Sequence, residues 1–213
     1  MIIGLTFAGK MKTLDDQCIE TQFLTVGIPL IPIKSMFVIK PGYKTREGFT
    51  IGLHGKSVLK GYMSFLCLAV GIFLLIGGNA IFDNQGFSLL GLLVLGAAVY
   101  FFFIYGKSTE NENADRLLFQ KAVGINALPE YLDKPTAANL RDRLLVGIKS
   151  TVSNPDMKWI DLVESKNYDE KLLPALFAAM GYHSRVEEKE RFYSLFERLK
   201  AEYRKHIAQQ QLA

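Results

Sequence analysis

Few side chains in this sequence could carry out catalysis or bind a metal. Cys18 lies near the N-terminus and Cys67 inside a long uncharged run, and neither has a second cysteine or histidine at zinc-ligand spacing. His183 and His206 lie far apart, near predicted helix ends, where surface histidines are the simpler interpretation. The sequence contains no phosphate-binding glycine loop, HExxH motif or GxSxG motif. We therefore predict free thiols, no catalytic residue, no metal or cofactor site, and no enzymatic activity.

Two uncharged runs account for much of the hydrophobic character of the chain. All 25 basic and 21 acidic residues lie outside 61–82 and 84–106, and the remainder resembles ordinary soluble protein. A helix needs about 20 apolar residues to cross a bilayer core, and both runs are long enough. Two buried core helices are the alternative, but such helices usually carry a polar stripe, which neither run has. We predict membrane spans over about 61–80 and 86–106, joined as a helical hairpin over 61–106.

The flanks of the two runs predict the orientation of the hairpin. Its short connection contains Asp83 and no Lys or Arg, whereas basic residues stand on both outer sides. They are Lys44, Arg46, Lys56 and Lys60 before the first run and Lys107, Arg116 and Lys121 after the second. The positive-inside rule then predicts a multi-pass protein with both termini in the cytoplasm. Tyr62 and Tyr105 are expected at the membrane interface, which aromatic rings favour.

Residues 1–60 are typical of a small β module with an excess of basic residues. Strands are predicted over 2–7, 17–25, 35–40 and 48–53, with turns at Gly9-Lys10 and Pro41-Gly42. Several short strands in sixty residues indicate a small sheet or an open barrel.

The uncharged segment 23–33 is the most unusual part of this module. It is too short to cross a bilayer, and Pro29 and Pro32 exclude a regular helix. It could be an apolar loop in the headgroup region beside the first span, or an edge strand that closes the β core, which we favour. The candidate membrane-interface residues are Phe23, Leu24, Ile28, Leu30, Ile31, Tyr62 and Tyr105.

The stretch TQFLTVGIPLIPIKSMFV resembles a pattern in uncharacterised bacterial membrane-associated proteins. In that pattern an aromatic-rich strand leads into an IPL-x-P turn, then a basic residue and another strand. Some small zinc-ribbon-like proteins carry a similar segment beside cysteine pairs, which this sequence lacks, so metal binding does not follow. The resemblance covers about twenty residues and implies a small β module near a membrane, here the bacterial inner membrane.

Residues 107–213 are predicted to form a helical cytoplasmic domain. The first helix should begin at Thr109, with Glu112 completing a capping box, and the last at Ser184, capped with Glu187. The intervening helices are expected over about 135–150, from Asn154-Pro155 to about 163, and over 172–180 before Gly181. The last helix carries an apolar stripe, either a bundle core or a partner-docking surface: Phe192, Leu195, Phe196, Leu199 and Tyr203.

These patterns predict a membrane α+β protein with a role that is not catalytic. We expect an integral membrane protein that anchors or assembles protein partners at the cytoplasmic face. A subunit of an oligomeric channel or transporter is the alternative, and homo-oligomerisation stays open. The partners are then the lipid bilayer and unidentified proteins. The basic end of the last helix is interleaved with acids, so we expect no nucleic-acid binding.

Overall fold

The computed structural model describes residues 3–42, 46–82, 85–151 and 158–212. They belong to two compact units, Met1–Thr109 and Glu110–Ala213. The first unit contains both the small β module and the two uncharged runs. The second unit is helical.

The first unit opens with a four-stranded antiparallel sheet in the order β1-β2-β3-β4. The strands are β1 (Ile3–Leu14), β2 (Gln17–Val26), β3 (Ile28–Pro41) and β4 (Arg46–Ile51). The β1–β2 turn is made by Asp15 and Asp16, whose positive φ angles of 45° and 65° match a type I′ hairpin turn. Gly27, with a φ of 78°, turns β2 into β3. The three hairpins follow one another directly, which gives the meander order.

The turn predicted at Gly9-Lys10 is wrong, because β1 continues through it. Gly9 has a φ of 70° and lies at a register shift between Ala8 and Met11, so it bends the strand without ending it. A Cβ at Gly9 would collide with the carbonyl group of Ser57. Glycine is therefore required here for close approach of a helix as well as for its positive φ.

Two long apolar helices follow the sheet, α1 (Gly55–Phe82) and α2 (Gln85–Phe103). Both contain stretches long and apolar enough to cross a membrane, Gly55–Gly77 and Gly86–Phe103, of which only 17% and 11% is buried. The helices pack along a narrow seam in which Gly71 meets Leu95 and Gly91 meets Leu75. The predicted turn at Asp83 lies outside the described residues.

The second unit contains five α-helices and two short 3₁₀ turns within its described residues. The helices are α3 (Glu110–Val123), α4 (Lys134–Thr151), α5 (Trp159–Ser165), α6 (Leu173–Glu187) and α7 (Glu190–Leu212); the turns are Pro129–Tyr131 and Glu170–Leu172. The α6 helix is central, since its residues from Leu176 to Ser184 are all buried. The predicted Asn154-Pro155 helix start lies outside the described residues.

The predicted boundary between the last two helices is wrong. Gly181 does not end α6 but lies inside it, where a Cβ would come within 2.8 Å of ring atoms of Phe119 and Phe196. Ser184 does not cap α7, because its hydroxyl donates to the Gly181 carbonyl inside α6 at 2.7 Å. The helix instead ends at Glu188, which has a left-handed φ of 47°. The charged run at 187–191 therefore spans the break between two helices, and its residues are exposed.

Candidate functional site

A buried polar network attaches the start of α1 to the sheet. The hydroxyl groups of Thr21, Ser35 and Ser57 are fully buried, and that of Thr21 lies 2.8 Å from each of the other two. The Ser57 hydroxyl also donates to the carbonyl oxygen of Gly9 at 2.7 Å. His54 caps the helix, since its Nδ1 accepts a hydrogen bond from the Ser57 N–H at 3.2 Å. Because buried hydroxyls require partners, these bonds fix both the rotation and the depth of α1 against the sheet.

Beyond this network, α1 continues along the β2–β3 hairpin towards its tip. Gly61 allows the Phe23 ring to approach the helix, since a Cβ there would lie 2.8 Å from the ring. The Phe23 and Tyr62 rings meet edge to face at 5.4 Å, and the Tyr62 hydroxyl donates to the Leu30 carbonyl at 2.6 Å. The structure thus brings three of the candidate interface residues together. Phe23 itself is fully buried, so it belongs to the contact between sheet and helix and not to an exposed surface.

The remaining candidates in this segment form the exposed face of a hairpin rather than a loop. Ile28 and Ile31 are 55% and 57% exposed, Leu30 is also exposed, and Leu24 is half-buried. In the described register β4 pairs with β3 only from Ser35 onwards. The half of β3 that contains Pro29 and Pro32 is therefore an edge strand on the side where β4 would pair. The N–H groups that these prolines lack interrupt no hydrogen bonds to β4 there.

An apolar groove lies between the hairpin tip and α1. It has a volume of about 400 Å³, and Ile28 and Pro29 form one wall while Leu59, Met63, Leu66 and Ala69 lie on the other. Tyr62 contributes a polar side chain to this lining, and its hydroxyl group is already bonded to the hairpin backbone. The tip lies beside the apolar part of α1, so the exposed hairpin face and the exposed helix face form one continuous apolar surface.

The turn that follows α2 is held by one hydrogen bond from α1 and one from the sheet. The buried ammonium group of Lys60 donates to the Tyr105 carbonyl at 2.8 Å, and the Lys12 N–H donates to the Gly106 carbonyl at 2.8 Å. The Tyr105 side chain is half-buried and packs on the Phe101 ring with centroids 5.2 Å apart. The candidate interface residue Tyr105 thus lies in the turn after α2, away from the groove. The sequence does not predict these contacts, although a lysine next to an apolar run indicates a boundary position.

In the second unit, the apolar stripe of α7 is part of the core. Phe192, Leu195, Leu199 and Tyr203 are buried. Phe196 is half-buried and stacks on Phe177, with centroids 5.5 Å apart and 17° between the ring planes. These residues close an aromatic core around α6, so the stripe is buried apart from the half-buried ring of Phe196.

A solvent-open cavity of about 380 Å³ lies beside this core. Its floor is apolar and aromatic, formed by Phe119, Leu128, Pro129, Tyr193 and Phe196. Its polar lining includes four acids, Glu112, Asp115, Glu130 and Glu197, and two bases, Arg185 and Lys200. Asp115 accepts from Lys200 at 2.6 Å and from Arg204. Glu130 and Glu197 are exposed, whereas Glu112 and Asp115 are half-buried. The lining therefore has an excess of negative charge around an apolar floor.

The prediction of a surface histidine at position 183 is wrong. His183 is buried within α6 between the rings of Trp159 and Phe192, with Arg141 donating towards its Nδ1 at 3.1 Å. Burial lowers its pKa below the usual value, and the nearby guanidinium lowers it further. His206 is half-buried in α7, 3.8 Å from a Glu170 carboxylate oxygen.

The cysteines are free in the described residues. Burial, followed by the carboxylate of Glu20, raises the pKa of the Cys18 thiol to about 12, so this cysteine is not a reactive thiolate. The searched part of the chain contains no group of three or more His, Cys, Asp or Glu residues placed to hold a metal ion.

The chain matches no protein-family model, no curated protein and no solved structure.

Proposed function

We propose that this chain is a membrane-anchored adaptor of the bacterial inner membrane. Its α1–α2 hairpin crosses the bilayer, and its helical unit binds a protein partner at the cytoplasmic face. The observation that carries the proposal is the exposed apolar surface of both helices. Leu68, Ile72 and Phe73 on α1, and Leu89, Leu93 and Phe103 on α2, are exposed. Exposed apolar area of this extent is costly in water and favourable in lipid.

The composition of the hairpin supports anchoring rather than transport. Neither 61–82 nor 85–106 contains an ionisable Asp, Glu, His, Lys or Arg, the residues that usually mark ion and proton pathways within membranes. The seam is made by glycines that let two backbones approach, as expected for helix packing in lipid. The basic residues outside both ends of the hairpin support cytoplasmic termini.

The acid-rimmed cavity of the helical unit is the surface that we assign to the partner. Glu130 and Glu197 extend from its rim, while Tyr193 and Phe196 supply an aromatic floor. This pairing of charges and rings fits a peptide segment that carries Lys or Arg beside an apolar side chain, because cations favour both carboxylates and aromatic faces. Charge complementarity would then determine which peptide segment binds, and the apolar stripe of α7 packs beneath the aromatic floor.

Membrane insertion and orientation can be tested by cysteine labelling in intact cells. In a background with Cys18 and Cys67 replaced by alanine, Asn84→Cys should react with a membrane-impermeant maleimide and Ser108→Cys should react only after permeabilisation. The protein should also stay in the membrane pellet after alkaline carbonate extraction. Labelling of position 108 and not 84 would reverse the orientation, and release by carbonate would reject the anchor.

The partner surface requires a separate experiment. A photo-crosslinking amino acid at Tyr193 should give adducts in living cells, and Glu130→Lys combined with Glu197→Lys should remove them. Glu170→Lys is the matched control, because the Glu170 side chain is 85% exposed and lies outside the cavity lining. Adducts that survive the double reversal would exclude a basic partner segment, and an adduct made only of two copies of this chain would identify a homo-oligomer.

A further inference from the structure

We propose that the groove between the β2–β3 hairpin tip and α1 binds one acyl chain of an anionic phospholipid. The proposal rests on the membrane insertion proposed above and goes beyond it, because a lipid-facing helix alone has no defined lipid site. The groove has a volume of about 400 Å³, within the range typical of ligand sites, and its walls are apolar side chains. A groove with such walls favours a hydrocarbon occupant over water or a polar ligand.

The position of the groove along α1 supports a lipid rather than a soluble ligand. Lys60 and the polar network around Ser57 mark the water-facing start of the helix. From Lys60 to Ala69, at the other end of the groove, α1 advances about 13 Å, which is close to one leaflet of a 30 Å hydrocarbon core. The groove therefore runs along a single leaflet, in the direction of an acyl chain.

The backbone of the hairpin is suited to a position at this depth. Pro29 and Pro32 have no N–H group, and the Tyr62 hydroxyl satisfies the Leu30 carbonyl. At the base of the tip, the Thr25 hydroxyl donates to the Gly4 carbonyl at 3.1 Å. Each of these features removes a polar group that an edge strand would otherwise present to lipid, where unsatisfied groups are costly. The hairpin can thus form one wall of the groove without exposing a full row of backbone donors.

The charge at the mouth of the groove selects the headgroup. Lys56 lies one helical turn before Leu59, on the same side of α1, and is exposed. The described acids of the sheet unit lie elsewhere. Asp15 and Asp16 form the turn at the opposite end of β2, and Glu20 is paired with Arg46 at 2.9 Å. Glu47 of β4 lies opposite Lys40 of β3. An ammonium group at the mouth of an apolar groove favours a lipid phosphate that carries net negative charge.

Lipid retention by the full-length protein tests this inference. The protein is incorporated into vesicles of equal parts phosphatidylglycerol and phosphatidylcholine, extracted in mild detergent and weighed by native mass spectrometry. We expect one retained phospholipid per chain, with phosphatidylglycerol at least threefold over phosphatidylcholine. Ala69→Trp, which fills the groove, should lower the retained fraction at least tenfold. Leu68→Trp should leave it unchanged, because Leu68 lies on the exposed face of α1 outside the groove wall.

Further variants separate the possible failures. Met63→Trp blocks the groove from a different turn of α1 and replaces Ala69→Trp if that variant does not enter the vesicles. Lys56→Gln should keep the lipid and equalise the two headgroups. The groove assignment alone is overturned if the wild-type protein resists carbonate extraction but retains no lipid. It is also overturned if both tryptophan variants retain the lipid fully. Unselective retention by wild type overturns the headgroup assignment. Wild type released by carbonate overturns the membrane anchor and the lipid site together.

Discussion

Phe196→Ala should destabilise the helical unit by about 2 to 4 kcal/mol. Truncating a buried phenylalanine typically costs about 3 to 5 kcal/mol through lost burial and the cavity left behind. Phe196 stacks on Phe177 and lies against Gly181, so most of those contacts would be lost. The ring also lines the solvent-open cavity, so part of the new space joins an existing opening instead of forming a closed void. This partial opening lowers the expected cost towards the bottom of the range.

The sequence provides a local probe for this measurement. Trp159 is the only tryptophan, and its ring packs beside His183 in the helical unit. Its fluorescence in a urea titration of the full-length protein, kept in mild detergent, therefore follows unfolding of this unit. Glu197→Ala is the control and should stay within about 0.5 kcal/mol, because that side chain is 64% exposed. If the two variants shift the free energy of unfolding equally, the packing role assigned to Phe196 is refuted.

Three further predictions concern buried polar and small residues. Ser57→Ala should destabilise the sheet unit by about 1 to 3 kcal/mol, because the Thr21 hydroxyl loses a hydrogen-bond partner. Loss of helicity on heating measures the effect, and an unchanged midpoint temperature would contradict it. The lowered pKa of His183 means that the unfolded chain binds more protons below pH 6.5, so the helical unit should lose stability as the pH falls below that value. The urea midpoint from Trp159 fluorescence should fall there, and less so in His183→Gln; equal pH slopes would contradict the assignment. Gly91→Leu should lower the temperature at which half of the helicity of the detergent-solubilised protein is lost, because a Cβ there lies 2.9 Å from a backbone nitrogen of α1. An unchanged midpoint temperature would contradict the close packing of α1 and α2 at this glycine.

The strands and most helices could be predicted from local sequence because their patterns are local. The alternation of apolar and polar residues, together with the turn residues, predicts β2 and the regular part of β3. The length of the two uncharged runs predicts α1 and α2. The turn at Asp15-Asp16 was missed because two aspartates in the left-handed region are a weaker signal than the nearby glycine. The local pattern predicts a turn at Gly9, but the structure requires a glycine there because Ser57, 48 residues away, approaches its backbone closely. Such a tertiary reason leaves no mark in the neighbouring sequence.

The boundary between α6 and α7 failed for a similar reason. Ser184 and Glu187 have the spacing of a capping box, and Gly181 is a typical helix end. In the structure, position 181 requires a glycine because two aromatic rings approach its backbone, and Ser184 is buried within the same helix. Packing thus overrides the local capping signal. The buried position of His183 was missed because nothing in its neighbourhood predicts the rings contributed by α5 and α7.

The sheet has a consequence for the choice between anchoring and transport. It contacts the beginning of α1 through Ser57 and the turn after α2 through the Lys12–Gly106 hydrogen bond. Lys60 of α1 donates to Tyr105 in the same turn. A hairpin held at this end, with glycines fixing the seam between the two helices, has little freedom for the relative helix motions on which alternating access depends. In the anchor that we propose, helices held in this way would present a constant surface to lipid, and the sheet would set how deeply they enter it. That rigidity favours the anchor, and it also keeps the groove beside α1 in one shape, as a lipid site requires.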